Sequence, residues 1–232
     1  MWQVDLSKIG DFTYGPTKVT IIDSVADYVV LLESIFDFPL IKSFLIHTPF
    51  SVLFDGLHGV TGPYARAILV SALGLPESSV QNCVPLPDFG GGHPDPNLTY
   101  AHSLVEVVEK NDIAFGAASD GDGDRNMIYG KGAFVTPSDS VAIIAHWADV
   151  IPYFNKTGVK GLARSMPTSK AIDLVAQKKG FEFFEVPTGK SNMLIISYQV
   201  NLRITHRLEV LRQLDGCWKI VYLWRRIIRN GI

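Results

Sequence analysis

Apolar residues come in short bursts along this chain, alternating between the two-residue period of a strand and the three-to-four-residue period of a helix. Residues 1–15, with Gly10 and Gly15, read as an irregular lead-in to a β-branched strand at Lys18-Val19-Thr20-Ile21-Ile22. Asp23-Ser24 can cap a helix that puts Val25, Tyr28, Val29, Leu32 and Ile35 on one face. Ser51-Val52-Leu53-Phe54 is a short buried strand, and Pro63 to Leu73 a helix stopped by Gly74. Val80 to Leu86 returns as a strand. Residues 87–96 are too rich in Gly and Pro for regular structure. Asn97 or Thr99 opens a helix through Val108, and Ile113 to Ala118 is the third strand of the series. This alternation is an α/β pattern with a mixed, mostly parallel sheet. Asn126–Tyr129 and Ala133–Val135 then form a hairpin around Gly130-Lys131-Gly132, and Pro137 starts a helix through Val150. The cycle restarts with a strand at Gly161–Arg164, a helix over Ser169–Gln177 and a strand at Phe181–Val186.

The 232 residues suffice for one or two domains, and 47% hydrophobic with 19% charged residues describes a chain with material for a core. A net charge of −2 gives no reason to expect nucleic acid or an anionic membrane as partner. Cys83 and Cys217 form neither a disulfide framework nor a zinc spacing, which fits a reducing compartment. The first residues lack the basic and apolar regions of a signal peptide. No apolar run reaches the roughly 18 residues that a membrane span needs. The expected location is the cytoplasm.

The chemistry concentrates at Asp120-Gly121-Asp122-Gly123-Asp124-Arg125-Asn126-Met127-Ile128. Three carboxylates on alternate residues point toward one side, and the intervening glycines let the loop curl around a small object. Hard oxygen ligands at this density suit Mg²⁺ or Ca²⁺. A calcium EF-hand opens with the same spaced aspartates, but it needs Gly at loop position six and Glu at twelve. Arg125 and Lys131 stand there instead. A guanidinium beside such a loop suits bidentate phosphate recognition.

At these residues the chain resembles the phosphoglucomutases of the wider phosphohexomutase family, whose magnesium loop it repeats almost letter for letter. The resemblance continues through Asp55-Gly56-Leu57-His58-Gly59-Val60-Thr61-Gly62-Pro63-Tyr64 and Gly91-Gly92-His93-Pro94-Asp95-Pro96-Asn97-Leu98-Thr99-Tyr100. It runs on through Pro137-Ser138-Asp139-Ser140-Val141 and Ala163-Arg164-Ser165-Met166-Pro167-Thr168-Ser169, and stops at Val186-Pro187-Thr188-Gly189. It implies a remnant of a preceding domain at 1–23, a metal-loop α/β domain at 24–136 and an incomplete sugar-binding domain of the same kind at 137–189.

The resemblance also implies interconversion of glucose 1-phosphate and glucose 6-phosphate, through a phosphoserine and a glucose 1,6-bisphosphate intermediate. Asp120, Asp122 and Asp124 would bind Mg²⁺. Asp124 and Arg125 would lie against the hexose phosphate, and Thr188 and Gly189 match the loop that recognises the sugar. Ser119 stands where the family usually has an aromatic. The family's phosphoserine loop, Thr-Ala-Ser-His-Asn-Pro, does not occur here, so no catalytic nucleophile is assigned and these residues alone are expected to be inactive. The runner-up readings are a non-catalytic relative serving protein interaction, and another phosphohexomutase such as a phosphomannomutase. His58 and His93, in Gly-rich loops, are expected to structure those loops by hydrogen bonding.

After Gly189 the resemblance ends and the composition turns basic, with Arg203, Arg207, Arg212, Lys219, Arg225, Arg226 and Arg229 against Glu209 and Asp215. Leu208 to Cys217 can be encoded CTG GAA GTT CTT CGG CAA CTT GAT GGA TGC. Read from the second base, that string gives Trp-Lys-Phe-Phe-Gly-Asn-Leu-Met-Asp, which is how family members continue. The same shift over Trp218 to Ile232 yields a Gly-Glu-Glu-Ser-Phe-Gly sugar loop. Gly189-Lys190-Ser191 can contain a splice donor and His206-Arg207 an acceptor. Residues 190–207 are therefore expected to translate a retained intron, and 208–232 its frameshifted sequel. A selected amphipathic basic helix is the rival reading. Complementary DNA across codons 185 to 215 should lack the bases between the two junctions; abundant mature message that keeps them would sink the intron reading.

Overall fold

The structure, a computed structural model, describes residues 4–159 and 161–187; Thr188, Gly189 and the basic stretch 190–232 lie outside the described residues. Strands β1 (Gly10–Tyr14) and β2 (Thr17–Ile21) form an antiparallel hairpin, Gly10 opposite Ile21 and Tyr14 opposite Thr17. The lead-in is thus not irregular. Asp11-Phe12-Thr13-Tyr14 alternates polar and aromatic, Phe12 lies opposite Val19 of β2, and Asp11 ties the pair by accepting from Thr20 Oγ1 at 2.6 Å and Lys18 Nζ at 2.9 Å.

Helix α1 (Ser24–Ile35) begins where Asp23 accepts from the Val25 and Ala26 amides, and its expected face is the buried one, with Leu32 and Ile35 innermost. Sequence patterning placed nothing over α2 (Phe38–His47), which Asp37 caps through the Leu40 amide and which buries Phe38, Ile41 and Leu45. Those three positions do carry a helical spacing, but Pro39 interrupts the reading; at the second helical position it is tolerated.

The central sheet has the order β4-β3-β5-β6-β7, built from β3 (Val52–Asp55), β4 (Val80–Gln81), β5 (Phe115–Ser119), β6 (Asn126–Gly130) and β7 (Ala133–Val135). β3 runs parallel to β4 and β5, whereas β5–β6 and β6–β7 are antiparallel, so the sheet is mixed and its antiparallel half is the expected hairpin. β4 is shorter than expected. Asn82, at φ +50°, turns the chain out of the strand, and Pro85 and Pro87 have no amide to continue a ladder.

The period-two rule sorts the strand residues between two cores. Val52 and Phe54 of β3, Phe115 and Ala117 of β5 and Ile128 of β6 face α1, α2 and the helical segment α3 (Thr61–Ala65), which runs on as a π-helix over Arg66–Ala72. Leu53, Ala118 and Met127 face α4 (His102–Asn111) with Leu104 and Val108. Helices therefore cover both faces, and the strand ends are left to carry loops. α4 follows an Asx turn in which Asn97 accepts from the Thr99 and Tyr100 amides.

Helix α5 (Pro137–His146) starts at the Thr136 cap and ends four residues before expected. It shares the first core through Ile144, and with α6 (Pro152–Thr157) continues that core through Ile151 and Phe154. Its other side, Ala142 and Ala145, meets Leu162 of β8 (Gly161–Ser165) and Ile172 and Ala176 of α7 (Ala171–Lys179). β8 pairs in parallel with β9 (Glu182–Val186).

Arg164 of β8, 3% exposed, fastens this last unit. Its guanidinium donates Nε and Nη2 to the two oxygens of Asp173 at 2.7 and 2.9 Å and Nη2 to Glu185 at 2.5 Å, and it reaches the Ser165 and Met166 carbonyls through Nη1. The hydrogen bond from Arg164 holds the Asp173 carboxyl below its usual value. Its stabilising contribution is therefore complete above the unfolded carboxylate value of about 3.9 and is lost as pH falls through the lower folded value. Replacing Asp173 by Ala should lower the midpoint of a urea titration at neutral pH, because the Arg164 guanidinium loses its bidentate partner. That deficit should shrink below about pH 4, where the wild type loses the same interaction.

Candidate metal centre

The carboxyl ends of β3 and β5 lie side by side, Asp55 opposite Ala118, and each releases a Gly-rich loop. From β5 the chain passes through Ser119 into Asp120, which is 1% exposed. Arg125 closes the loop over it. Its amide and its Nε donate to the two Asp120 oxygens, each at 2.9 Å, and the Asp120 amide donates back to the Arg125 carbonyl at 3.4 Å. The loop between can only bulge outward, and it carries Asp122 and Asp124 to the exposed side. One oxygen from each of Asp120, Asp122 and Asp124 lies within 4.8 Å of the others.

The second loop, from β3, braces the first. The Val60 amide donates to the Gly121 carbonyl at 3.0 Å, and Thr61 Oγ1 meets Ser119 Oγ at 2.5 Å. A side chain at Gly59 would strike the Gly121 carbonyl oxygen at 2.8 Å, so this approach requires glycine. Gly123 takes φ +82°, and a Cβ there would meet Thr61 Cγ2 at 2.5 Å. A third segment arrives from the Gly/Pro-rich stretch, where Asp95 accepts from Arg125 Nη1 at 2.8 Å.

The charges are unevenly matched. Burial pushes the Asp120 carboxyl up, but the backbone and side-chain hydrogen bonds from Arg125 outweigh it and leave the group below its ordinary value. Asp124 moves the other way, raised by its desolvation and then by its hydrogen bond to Asp120 and the charges of Asp120 and Asp122. Arg125 is held more firmly protonated, chiefly by its hydrogen bond to Asp120. The donor set is three hard oxygens, one deep and two facing solvent. It fits a small divalent cation that keeps part of its water shell.

The structure thus brings together the four predicted residues Asp120, Asp122, Asp124 and Arg125, while Thr188 and Gly189 fall outside the described residues. Sequence reasoning overlooked Asp95 and Asp55, although both sit in the Gly-rich motifs it quoted. An acidic residue ending a strand just before glycine, or set between two prolines in a Gly-rich loop, was the available signal. Ser119 is more than a bystander, since its buried hydroxyl makes the link to Thr61. His58 is loop-structuring as expected: its Nδ1 lies 2.9 Å from the Val84 carbonyl. His93 stacks on Tyr100 with centroids 4.1 Å apart. Ser165 and Ser169 serve the turn into α7, through Thr168 Oγ1 and the Ala171 amide.

The family model for phosphoglucomutase/phosphomannomutase alpha/beta/alpha domain II matches residues 26–132, and that for domain III of the same family matches 137–196. The chain belongs to the phosphoglucomutase/phosphomannomutase family. It is 57% identical over 233 residues to the phosphoglucomutase of Aspergillus oryzae, with 97% of this chain and 42% of the relative covered. Phosphoglucomutase 1 of Saccharomyces cerevisiae is 53% identical over 97% of the chain and 42% of its own length. A chloroplastic phosphoglucomutase 1 of Marchantia polymorpha is 60% identical over 80% of the chain and 28% of its own length. The chain thus spans about two-fifths of the length of the fungal relatives it matches. Among solved structures, the open form of parafusin (a phosphoglucomutase) from Paramecium superposes with a TM-score of 0.73 at 49% identity, over 80% of this chain and 34% of that one.

The fit of Gly123 against Thr61 can be checked. Gly123→Ala should cost about 1–3 kcal/mol in chemical denaturation, from left-handed backbone and steric overlap together. Adding Thr61→Ser removes the methyl group but keeps the hydroxyl, and should restore part of the loss. Full additivity of the two substitutions would contradict the contact.

Proposed function

We propose that this chain carries the magnesium loop of a phosphoglucomutase, in which Asp120, Asp122 and Asp124 hold Mg²⁺ and Asp124 and Arg125 face a hexose phosphate. The observation that carries the reading is the convergence of the three carboxylates within 4.8 Å beside a guanidinium. Bound there, the cation would offset negative charge on a transferring phosphoryl group. Asp120 holds the loop through Arg125, and Asp122 and Asp124 supply oxygens from the open side. Arg125, kept in place by Asp120 and Asp95, presents a planar cation suited to phosphate oxygens.

In this reading residues 24–136 form the unit that carries the cation, and 137–189 open a second unit whose Thr188 and Gly189 contact the sugar. The reaction of the complete enzyme is exchange of a phosphoryl group between the 1- and 6-positions of glucose, through a phosphoserine and glucose 1,6-bisphosphate. Relatives at 53–57% identity named phosphoglucomutase favour glucose over mannose as the sugar. No described helix is long and apolar enough to cross a membrane, and the cytoplasm is the proposed location.

Calorimetric titration of Mg²⁺ into the purified chain should show saturable binding, and Asp122→Asn combined with Asp124→Asn should abolish it. Absence of saturable binding in the wild type would overturn the metal assignment. The 232 residues expressed alone contain no phosphoserine loop. They should give no mutase turnover on glucose 1-phosphate, since loss of a nucleophile removes several orders of magnitude in rate.

A further inference from the structure

Asp55, the last residue of β3, is wholly buried and carries a carboxylate that the reading above does not use. Its Oδ1 accepts from the Leu57 amide at 2.9 Å and from Asn82 Nδ2 at 3.0 Å, while Oδ2 accepts from Gln81 Nε2 at 2.7 Å and Ser103 Oγ at 3.4 Å. These four donors are neutral, and they come from three separate segments: its own loop, the end of β4 and α4. An acceptor-only group at the meeting point of so many donors sets the geometry of all of them, because turning any donor away leaves a buried polar group unpaired.

The loop that Asp55 holds is an unfavourable one. Leu57 and His58 take φ +45° and +55°, backbone that side-chain-bearing residues adopt only where surroundings over-determine it. The Asp55–Leu57 bond, with Gly56 N–H on the Gln81 carbonyl at 3.1 Å and His58 N–H on the Asn82 carbonyl at 2.8 Å, supplies that constraint. The turn delivers Gly59 and the Val60 amide onto the Gly121 carbonyl, midway between two of the clustered aspartates.

We infer that Asp55 is a positioning residue, acting through the Leu57–Val60 turn to fix the carboxylate loop at Gly121. The inference rests on the cation reading only for its functional consequence; the mechanical link stands separately. Asp55→Asn keeps the shape but replaces one acceptor oxygen by an amino group, which must face either Leu57 and Asn82 or Gln81 and Ser103.

The full chain should be compared with its Asp55→Asn variant by amide hydrogen exchange and by Mn²⁺ titration followed by electron paramagnetic resonance. Exchange at Val60 is expected to accelerate at least about tenfold while Met127, in the sheet, keeps its protection. Mn²⁺ affinity is expected to fall roughly 10- to 100-fold, the usual range for partners that orient ligands. Asp173→Ala, which loosens a distant unit, should change neither reading, and this separates positioning from general destabilisation. Should Asp55→Asn not fold, Gln81→Ala removes one donor and should move both readings the same way by less. Wild-type Val60 exchange in the substituted chain would overturn the inference. Accelerated exchange in a protein whose wild type binds no Mn²⁺ would uphold the link and reject the cation reading instead.

Discussion

The guanidinium of Arg125 lies against Asp120 on one edge and Asp95 on another, with Asp124 at 3.7 Å. That arrangement is what allows three aspartates to crowd within 4.8 Å. Two unit charges at about 4 Å repel by about 4 kcal/mol at an effective dielectric near 20, so the cluster needs a cation built in as well as any it binds. Asp120 receives most of that compensation and is held ionised despite its burial, whereas Asp124, farther from the guanidinium, is pushed toward protonation by desolvation and then by the neighbouring carboxylates. The loop is therefore asymmetric, with one carboxylate committed to structure and two left toward solvent.

The sheet supplies what Arg125 alone cannot. Parallel β3 and β5 end at the same level, so two loops leave side by side, and the mixed order lets the hairpin β6–β7 carry the chain straight back from the site. Placement of a ligand loop beyond the carboxyl ends of parallel strands follows the general behaviour of α/β sheets. Close approach of the loops then depends on absent side chains at Gly59 and Gly123, which let the Val60–Gly121 and Thr61–Ser119 hydrogen bonds form.

Much of this was legible along the chain. Strands β3, β5, β6 and β7 and helices α1, α4, α5 and α7 follow from period and capping, since those signals are local. β1 was hidden because a two-stranded hairpin has little apolar face to advertise. α2 was hidden because proline at its second position resembles a breaker. β4 was overextended because apolar residues continue after the backbone has turned. The three aspartates and Arg125 stood out by spacing. Asp95 and Asp55 did not, because a single acidic residue in a Gly-rich loop has the same local pattern whether it faces solvent or a buried network.

Local order along the chain is enough for the α/β alternation, the acidic loop and the family resemblance. Tertiary structure decided which carboxylate is buried, which partner restrains Arg125 and which loop braces the site. Asp120 and Asp95 are separated in the chain by α4 and β5, and Asp55 from Gly121 by still more. Contacts over such separations arise from strand register and helix packing, and no local period encodes them.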